Sequence, residues 1–420
     1  MTAHELDIAA AQQEALARVR PLATIAADLA DAHGRVLAEA PCARWDLPGA
    51  DVATMDGWAI RSADLVAASG PRVQLRRRGE SAAGHPHGEA LGQGEALRIS
   101  TGAVLPPGAD AVVAQEDCAV HGEHLEVDRD RVGVFGPGHF VRAAGSDVEA
   151  GSLLLPARAA LGPGELALLA GCGHSVVHVH RAPRVAILCT GDELVPVGAW
   201  PQRGQVISAN GLMLAWQARE AGAEVIDLGI ARDDPDELRA ALERGTSGAA
   251  DILVTCGGIS VGDHDLVLPT LIGLGASVVF RRVRLRPGRP TTMLEVPHPG
   301  GPASEPYGAR IPVFALPGNP ASAHVAFELF VRPVLRRMQG HMAWQRPQRE
   351  VVLTHACPRD PRRAHVIRAV VAGDQATPLP DQTSGALRSI AGHNALIELA
   401  PGTGPAEAGT RATALLVGDA

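Results

Sequence analysis

From Thr255 to Asp265 the chain reads TCGGISVGDHD: three glycines, two small hydroxyl residues and two aspartates in one short stretch. The apolar run Ile252-Leu253-Val254 before it reads as a buried strand, and a helical pattern starts near Leu266. A strand that feeds a glycine-rich turn and then a helix points backbone N–H groups at an anion. Carboxylates at such a turn hold a hard cation such as Mg2+, which keeps waters and bridges substrate phosphates. The expected ligand is therefore an anion with a metal, held at the end of a sheet.

Gly258-Ile259-Ser260-Val261-Gly262 also spells G-x-S-x-G, the nucleophile elbow of the α/β-hydrolases. That reading needs an acid and then a His downstream, and an oxyanion segment of the HGGG type upstream. His324 is available but the upstream segment is missing, so the motif lacks its context.

Other candidates follow later or earlier strands. Glu193, in Thr190-Gly191-Asp192-Glu193-Leu194, could hold Mg2+ or simply cap a turn. With Asp233, Asp234, Asp263 and Asp265 it makes an acidic set that favours a metal. Arg286-Pro287-Gly288-Arg289-Pro290 spaces two guanidinium groups across a rigid turn, which suits a tetrahedral oxyanion as well as a solvated turn. Leu316-Pro317-Gly318-Asn319-Pro320 puts a turn before a helix start and adds an anion site or only rigidity. Thr54-Met55-Asp56-Gly57-Trp58-Ala59 and Arg98-Ile99-Ser100-Thr101-Gly102-Ala103 set Asp56 and Thr101 beside glycines, where a ligand, another chain or nothing at all could approach.

These residues need elements to hold them. Apolar spacing predicts a helix over residues 5–20 and a short one from Ile25 to His33, closed by Gly34. Short β-like runs between residues 51 and 141, broken by Gly, Pro and His, predict a small β-rich insertion. Over 183–338 strands alternate with helices, which predicts a parallel three-layer α/β domain with ligands beyond the carboxyl ends of its strands. Met338 to Gln348 reads as a linker, and 348–420 as a small β domain. The remaining residues, 1–50 with 142–182, make up the N-terminal part of the chain into which that insertion is set.

At 420 residues and 46% hydrophobic content the chain can bury several cores. Its net charge of −8 and 3% aromatic content argue against nucleic-acid binding. It contains no lysine, so arginine carries every basic role and no Schiff-base amine exists. The six cysteines, at 42, 118, 172, 189, 256 and 357, form no C-x-x-C, so neither a zinc site nor a disulfide framework is expected. No apolar run reaches the ~18 residues of a membrane helix, and MTAHELDIAA does not read as a signal peptide. A soluble cytoplasmic protein is the expectation.

The ordered motifs TMDGWA (54–59), RISTGAVLPPGADAVV (98–113), TGDEL (190–194), TCGGISVGDHD (255–265), RLRPGRP (284–290) and LPGNPAS (316–322), with a looser QTSGALRS (382–389), span the chain. Together they resemble the molybdopterin molybdenumtransferases, the family that includes MoeA and the gephyrin E domain. The resemblance implies a Mg2+-dependent insertase that takes adenylylated molybdopterin and molybdate and releases AMP and molybdenum cofactor. It implies four subdomains, with 1–50 and 142–182 as an elongated N-terminal one, in an elongated homodimer whose active cleft includes the partner's inserted domain. Contacts with a molybdopterin adenylyltransferase and with molybdoenzyme apoproteins or chaperones are also implied.

Carried over residue by residue, the resemblance assigns Asp56, Thr101, Glu193, Asp265, Arg286 and Arg289 to catalysis. It assigns Glu193, Asp233 (or Asp234) and Asp265 to the metal. Asp147, Asp233, Gly257, Gly258, Ser260, Pro290, Pro317, Pro320, Ser322, Arg363 and Ser384 fall at substrate-binding positions. The chain departs from the family's usual pattern at Trp58 (Tyr), Ala53 (Ser), Ser208 (an acid) and at Arg286 and Arg289 (Lys). Two rivals stand beside the insertase: an adenylyltransferase on a similar α/β domain, and a non-catalytic scaffold.

Overall fold

The structure is a computed structural model that describes residues 5–259, 266–298 and 310–418. The expected helix near the start forms over Ile8–Ala17, capped by the Asp7 carboxylate, which accepts from the Ala10 N–H at 2.8 Å. Its buried face, Ile8, Ala11, Ala15 and Leu16, packs into the largest core of the protein. The second expected helix is absent. Thr24–Asp28 is a strand paired antiparallel with Val176–His180, and only a 3-10 turn, Leu29–Asp31, follows it. A distant strand partner here outweighs the helical spacing of Ile25 and Leu29.

The β-rich insertion is a six-stranded sheet in the order Ala111–Ala114, Gly57–Ile60, Glu95–Ile99, Arg72–Ser81, His124–Asp128 and Cys118–His121. Ile60, Leu75, Leu125 and Val127 fill one face.

The α/β domain contains β1 (Arg184–Thr190), β2 (Glu224–Ala231), β3 (Ile252–Cys256), β4 (Ser277–Arg281), β5 (Thr292–Pro297) and β6 (Arg310–Leu316). They lie side by side in the order β2-β1-β3-β6-β5-β4. β1, β2, β3 and β6 are parallel, but β5 runs antiparallel to both β6 and β4. The expected all-parallel sheet is thus mixed. The reversal brings the start of β5, at Thr292, opposite Ala315 near the end of β6, so the segment before β5 joins the same sheet edge as the ends of the parallel strands. Two core clusters, one around Phe314 and Val254 and one around Leu188 and Leu253, cover the two faces. That is the three-layer arrangement expected for alternating strands and helices.

Helix α1 (Ala209–Glu220) lies against one face, and α2 (Pro320–Ala326) continues through a π turn, Phe327–Val331, into Arg332–Met338. The segment after Met338 is strapped down rather than loose. Gln339 donates to the Ala221 and Leu335 carbonyls, and Arg346 binds the buried Glu328 at 2.9 Å and Glu220 at 2.7 Å.

The C-terminal β domain is a six-stranded sheet, and one of its strands, Leu285–Arg286, belongs to the RLRPGRP segment. It pairs with Ala364 and His365, which ties the α/β domain to the C-terminal one. Among the described residues no helix is long and apolar enough to cross a membrane.

Candidate functional site

One cleft of about 610 Å³ opens at the carboxyl edge of the α/β sheet. The ends of β1 (Cys189, Thr190) and β3 (Cys256) form its floor, with Gly257, Gly258 and the Pro317–Pro320 turn beside them. Glu193 and Asp233 stand on one wall, Asn210 and the start of α1 on another, and Pro290, Gly385 and Leu387 on the far side. Every motif after a parallel strand therefore converges there, as ligands in open α/β sheets require.

The glycine turn is fixed by lack of space. Gly257 and Gly258 have φ of +103° and +64°. A Cβ on Gly257 would collide with the Thr190 carbonyl, and one on Gly258 would lie 2.6 Å from Val267 Cγ2 and 2.9 Å from the Thr190 hydroxyl. That hydroxyl is buried and has no hydrogen-bond partner among the described residues. Ser260 and Asp265, with Gly262 and Asp263, lie outside the described residues.

The acids sort by geometry. Asp234 is a helix cap, accepting from the Asp236 and Glu237 N–H groups at 3.1 and 2.9 Å. Asp233 reaches the cleft, its N–H donating to Asp192 Oδ1 at 3.0 Å. The Glu193 carboxylate lies over Gly191, where a side chain would collide with it. Among the described residues no three His, Cys, Asp or Glu side chains form a cage. Two hard carboxylates on one wall still suit Mg2+, which takes one or two carboxylates and fills its shell with water and phosphate.

Asn210 is a cleft residue that sequence reasoning missed. Its side chain donates to the Gly318 carbonyl at 2.6 Å and to Cys256 Sγ at 3.3 Å, joining α1, β3 and the LPGNP turn. Ser208, the residue before α1, makes no side-chain cap hydrogen bond, so the first turn faces the cleft with N–H groups that no cap occupies. The position of Asn210 at a helix start was the available signal.

The remaining predicted residues lie outside the cleft. Ser384 is at its rim, where its carbonyl accepts from the Ala321 N–H at 3.0 Å and its hydroxyl from Asn319 at 3.3 Å. Ser322 is buried in α2. Arg286 is exposed at the seam with the C-terminal sheet. Arg289 is held by Glu5 at 2.6 Å, and that contact keeps the Glu5 carboxyl below its ordinary range. Arg363 pairs with Asp360 and Asp147 with Arg142, at 2.6 and 2.7 Å.

Asp56 and Thr101 meet each other in the inserted sheet. The Thr101 N–H and hydroxyl both donate to Asp56 Oδ1, at 2.6 and 2.7 Å, and those bonds hold the exposed carboxyl below its ordinary value. Beside them Trp58 lies between the guanidinium groups of Arg77 and Arg98, 5.1 and 5.6 Å from its ring centre. No residue of this sheet lines the cleft. His324, the histidine a hydrolase would need, has its Nε2 3.0 Å from that of His393.

Three family models match this chain in order: MoeA N-terminal region (domain I and II) over 6–173, probable molybdopterin binding domain over 186–337, and MoeA C-terminal region (domain IV) over 350–417. A molybdopterin molybdenumtransferase of Bacillus subtilis is 34% identical over 394 residues, 93% of this chain and 89% of that relative. One from Nostoc sp. is 39% identical over 317 residues, 74% of this chain and 69% of the relative. The crystal structure of a molybdopterin biosynthesis MoeA protein from Pyrococcus horikoshii superposes with a TM-score of 0.84 at 30% identity, covering 99% of this chain and all of that one. With its multidomain fold and its motifs in the same order, the chain belongs to the molybdopterin molybdenumtransferases, transferases of molybdenum cofactor biosynthesis.

Proposed function

We propose that this protein inserts molybdenum from molybdate into adenylylated molybdopterin, releasing AMP and forming molybdenum cofactor. The observation that carries the reading is the meeting of Glu193, Asp233, Gly257, Gly258, Pro317 and Pro320 around one cleft, from segments scattered between residues 190 and 320. Glu193, Asp233 and Asp265 would hold Mg2+. When bound, the ion neutralises charge that develops at the phosphoanhydride. The N–H groups of the Gly257–Gly258 turn and of the first turn of α1 position anionic oxygens. Asn210 keeps the walls at fixed spacing. Arg286 and Arg289 attract oxyanions toward the rim, where Ser260, Arg363 and Ser384 add polar groups for molybdate, and the buried Ser322 supports them from within α2. Molybdate oxygen is the attacking group, so no protein nucleophile is required and Ser260 need only hydrogen-bond.

Asp56 and Thr101 act from the inserted domain of a second copy and Asp147 from the N-terminal subdomain beside it, in a cytoplasmic homodimer whose subdomains are 1–50 with 142–182, 51–141, 183–338 and 348–420. The isolation of the Asp56–Thr101 pair from the cleft within one chain supports this arrangement. A molybdopterin adenylyltransferase supplies the substrate, and apoproteins or chaperones take the product. The test is AMP release from adenylylated molybdopterin by the purified protein, with Mg2+ and molybdate each present or withheld. Release that needs both, with product that reconstitutes an apo-molybdoenzyme, is expected. Adenylylation of pterin from ATP would favour the adenylyltransferase instead. Tight nucleotide binding without release would favour a scaffold.

A further inference from the structure

Two thiols at the floor of the cleft have no part in this account. Cys189, one residue before the end of β1, and Cys256, the last residue of β3, lie directly opposite each other in the parallel register. Registered residues on neighbouring strands point to the same face, with strands ~4.8 Å apart. A disulfide spans Cα separations of about 4.4–6.8 Å, so the pair can close with only local movement at two strand ends. Both thiols are free and, though each residue is only 2% exposed, both line the floor of the cleft, from which a small oxidant would reach them. We propose that Cys189 and Cys256 are a reactive dithiol that closes to a reversible disulfide, a modification site at the floor of the cleft.

The surroundings give the two sulfurs different roles. Gly211 brings the first turn of α1 against Cys189, since a Cβ there would lie 3.1 Å from the sulfur. Hydrogen bonds from the Cys256 thiol, the Ser208 hydroxyl and the Gly211 N–H hold the Cys189 thiol below its ordinary value, against burial and Asp227, which raise it. Cys256 moves the other way, because its proton is held by Cys189 and burial adds to the effect. Cys189 is thus the more easily deprotonated of the two thiols and Cys256 the one that holds its proton more firmly, the division that thiol exchange requires. The Cys256 thiol also donates to the Pro317 carbonyl at 3.4 Å, and its sulfur accepts from Asn210 at 3.3 Å.

A hydroperoxide is the co-reactant. The Cys189 thiolate attacks a peroxide oxygen, the O–O bond breaks, and hydroxide leaves. The Cys256 sulfur then attacks the sulfenic sulfur; the S–S bond forms, the S–O bond breaks, and the second oxygen leaves as water with the Cys256 proton. The dithiol loses two electrons and the peroxide gains two; a small dithiol reverses the change. Closure draws Cys256 away from Asn210 and Pro317, and Gly257 follows it directly in the chain. The anion turn and the LPGNP wall are therefore displaced together.

The experiment treats the full-length protein with hydrogen peroxide and maps disulfides in its tryptic peptides. Cleavage after Arg184, Arg203, Arg244 and Arg281 places Cys189 in 185–203 and Cys256 in 245–281. The expected product is a single linked pair of these peptides, lost on treatment with dithiothreitol. The exposed Cys42 is the internal control. Cys256→Ser should leave a sulfenic acid on Cys189 that dimedone traps. AMP release should fall about tenfold or more on oxidation, as active-site shifts of ~1 Å can cost ~100-fold, and should return on reduction. The Cys189→Ser, Cys256→Ser double variant, whatever its own rate, should not respond. Oxidation of Cys42 with no 185–203 to 245–281 link overturns the proposal, and so does equal loss of activity in the double variant. Because the link is read by mass, it stands or falls apart from the insertase reading.

Discussion

In the α/β domain, Glu193, Asp233 and Gly257–Gly258 hang from different strands and meet over one cleft; in the inserted sheet, Asp56 and Thr101 meet only each other. The cleft rests on strands whose inward residues are almost wholly buried, such as Leu188, Val254 and Leu316. Its shape is therefore set by core packing, and a change at the turn disturbs packing and ligand binding together. The Asp56 carboxylate is exposed and its bonds are local. A change there should cost the fold almost nothing and cost activity only if something docks on it. On the proposed dimer, one region is a cleft built within a chain and the other is half of a site.

The strongest way to break this contrast is at Gly257. Gly257→Ala forces a side chain against the Thr190 carbonyl at a φ of +103°. We expect a loss of about 3 kcal/mol from strain and overpacking, read by chemical denaturation, together with loss of nucleotide binding. Asp56→Asn should do the reverse. Stability should be unchanged, as for an ordinary surface change. AMP release should fall about 100-fold, the usual cost of one catalytic hydrogen-bonding group. If Asp56→Asn unfolded the protein, the distinction between the two regions would fail.

A third prediction concerns the far wall of the cleft. Its residues Gly385 and Leu387 come from the C-terminal domain, which His393 joins to α2 through His324. Burial, aided by His393, Arg368 and Arg346 and opposed by Glu328, lowers the His324 pKa to about 4. Between that value and the ordinary ~6.5 the unfolded chain binds more protons than the folded one. The stability contribution is thus present above pH ~6.5 and is lost as the pH falls toward ~4, at up to about 1.4 kcal/mol per unit. His324→Asn should flatten that slope in thermal melts across the window. The Asp56–Thr101 pair should show no counterpart, because the Asp56 pKa is lowered and its charge persists through this range.

The smallest effect is expected at Glu5. Its pair with Arg289 is partly exposed, so Glu5→Gln should change stability by less than about 1 kcal/mol. Freed from its partner, Arg289 should bind oxyanions more tightly, by a few-fold in the KM for molybdate.

The cleft was the more legible region because its motifs follow one rule. TGDEL, TCGG and LPGNP each stand where the apolar run of a parallel strand gives way to a glycine turn, and the structure puts all three at one sheet edge. Pairing between distant segments was not legible. Nothing local marks Thr24–Asp28 as the partner of Val176–His180, or turns β5 against β6. Leu387 and Gly385 form a cleft wall only after the C-terminal sheet has docked, and Arg289 finds Glu5 across 284 residues of chain. Asp56 and Thr101 could be named only by resemblance, since in one chain they have no ligand-facing neighbour but each other.

The central claim is that a complete site takes its cleft from one chain and Asp56 from a second. The direct measurement is AMP release by a purified mixed dimer that pairs an Asp56→Asn chain with a Glu193→Gln chain, each inactive alone. One of the two sites in that dimer is then intact, so about half of wild-type activity is predicted for a twofold-symmetric assembly. A mixed dimer as inactive as its parents would contradict the account and place both residues in a site formed within one chain.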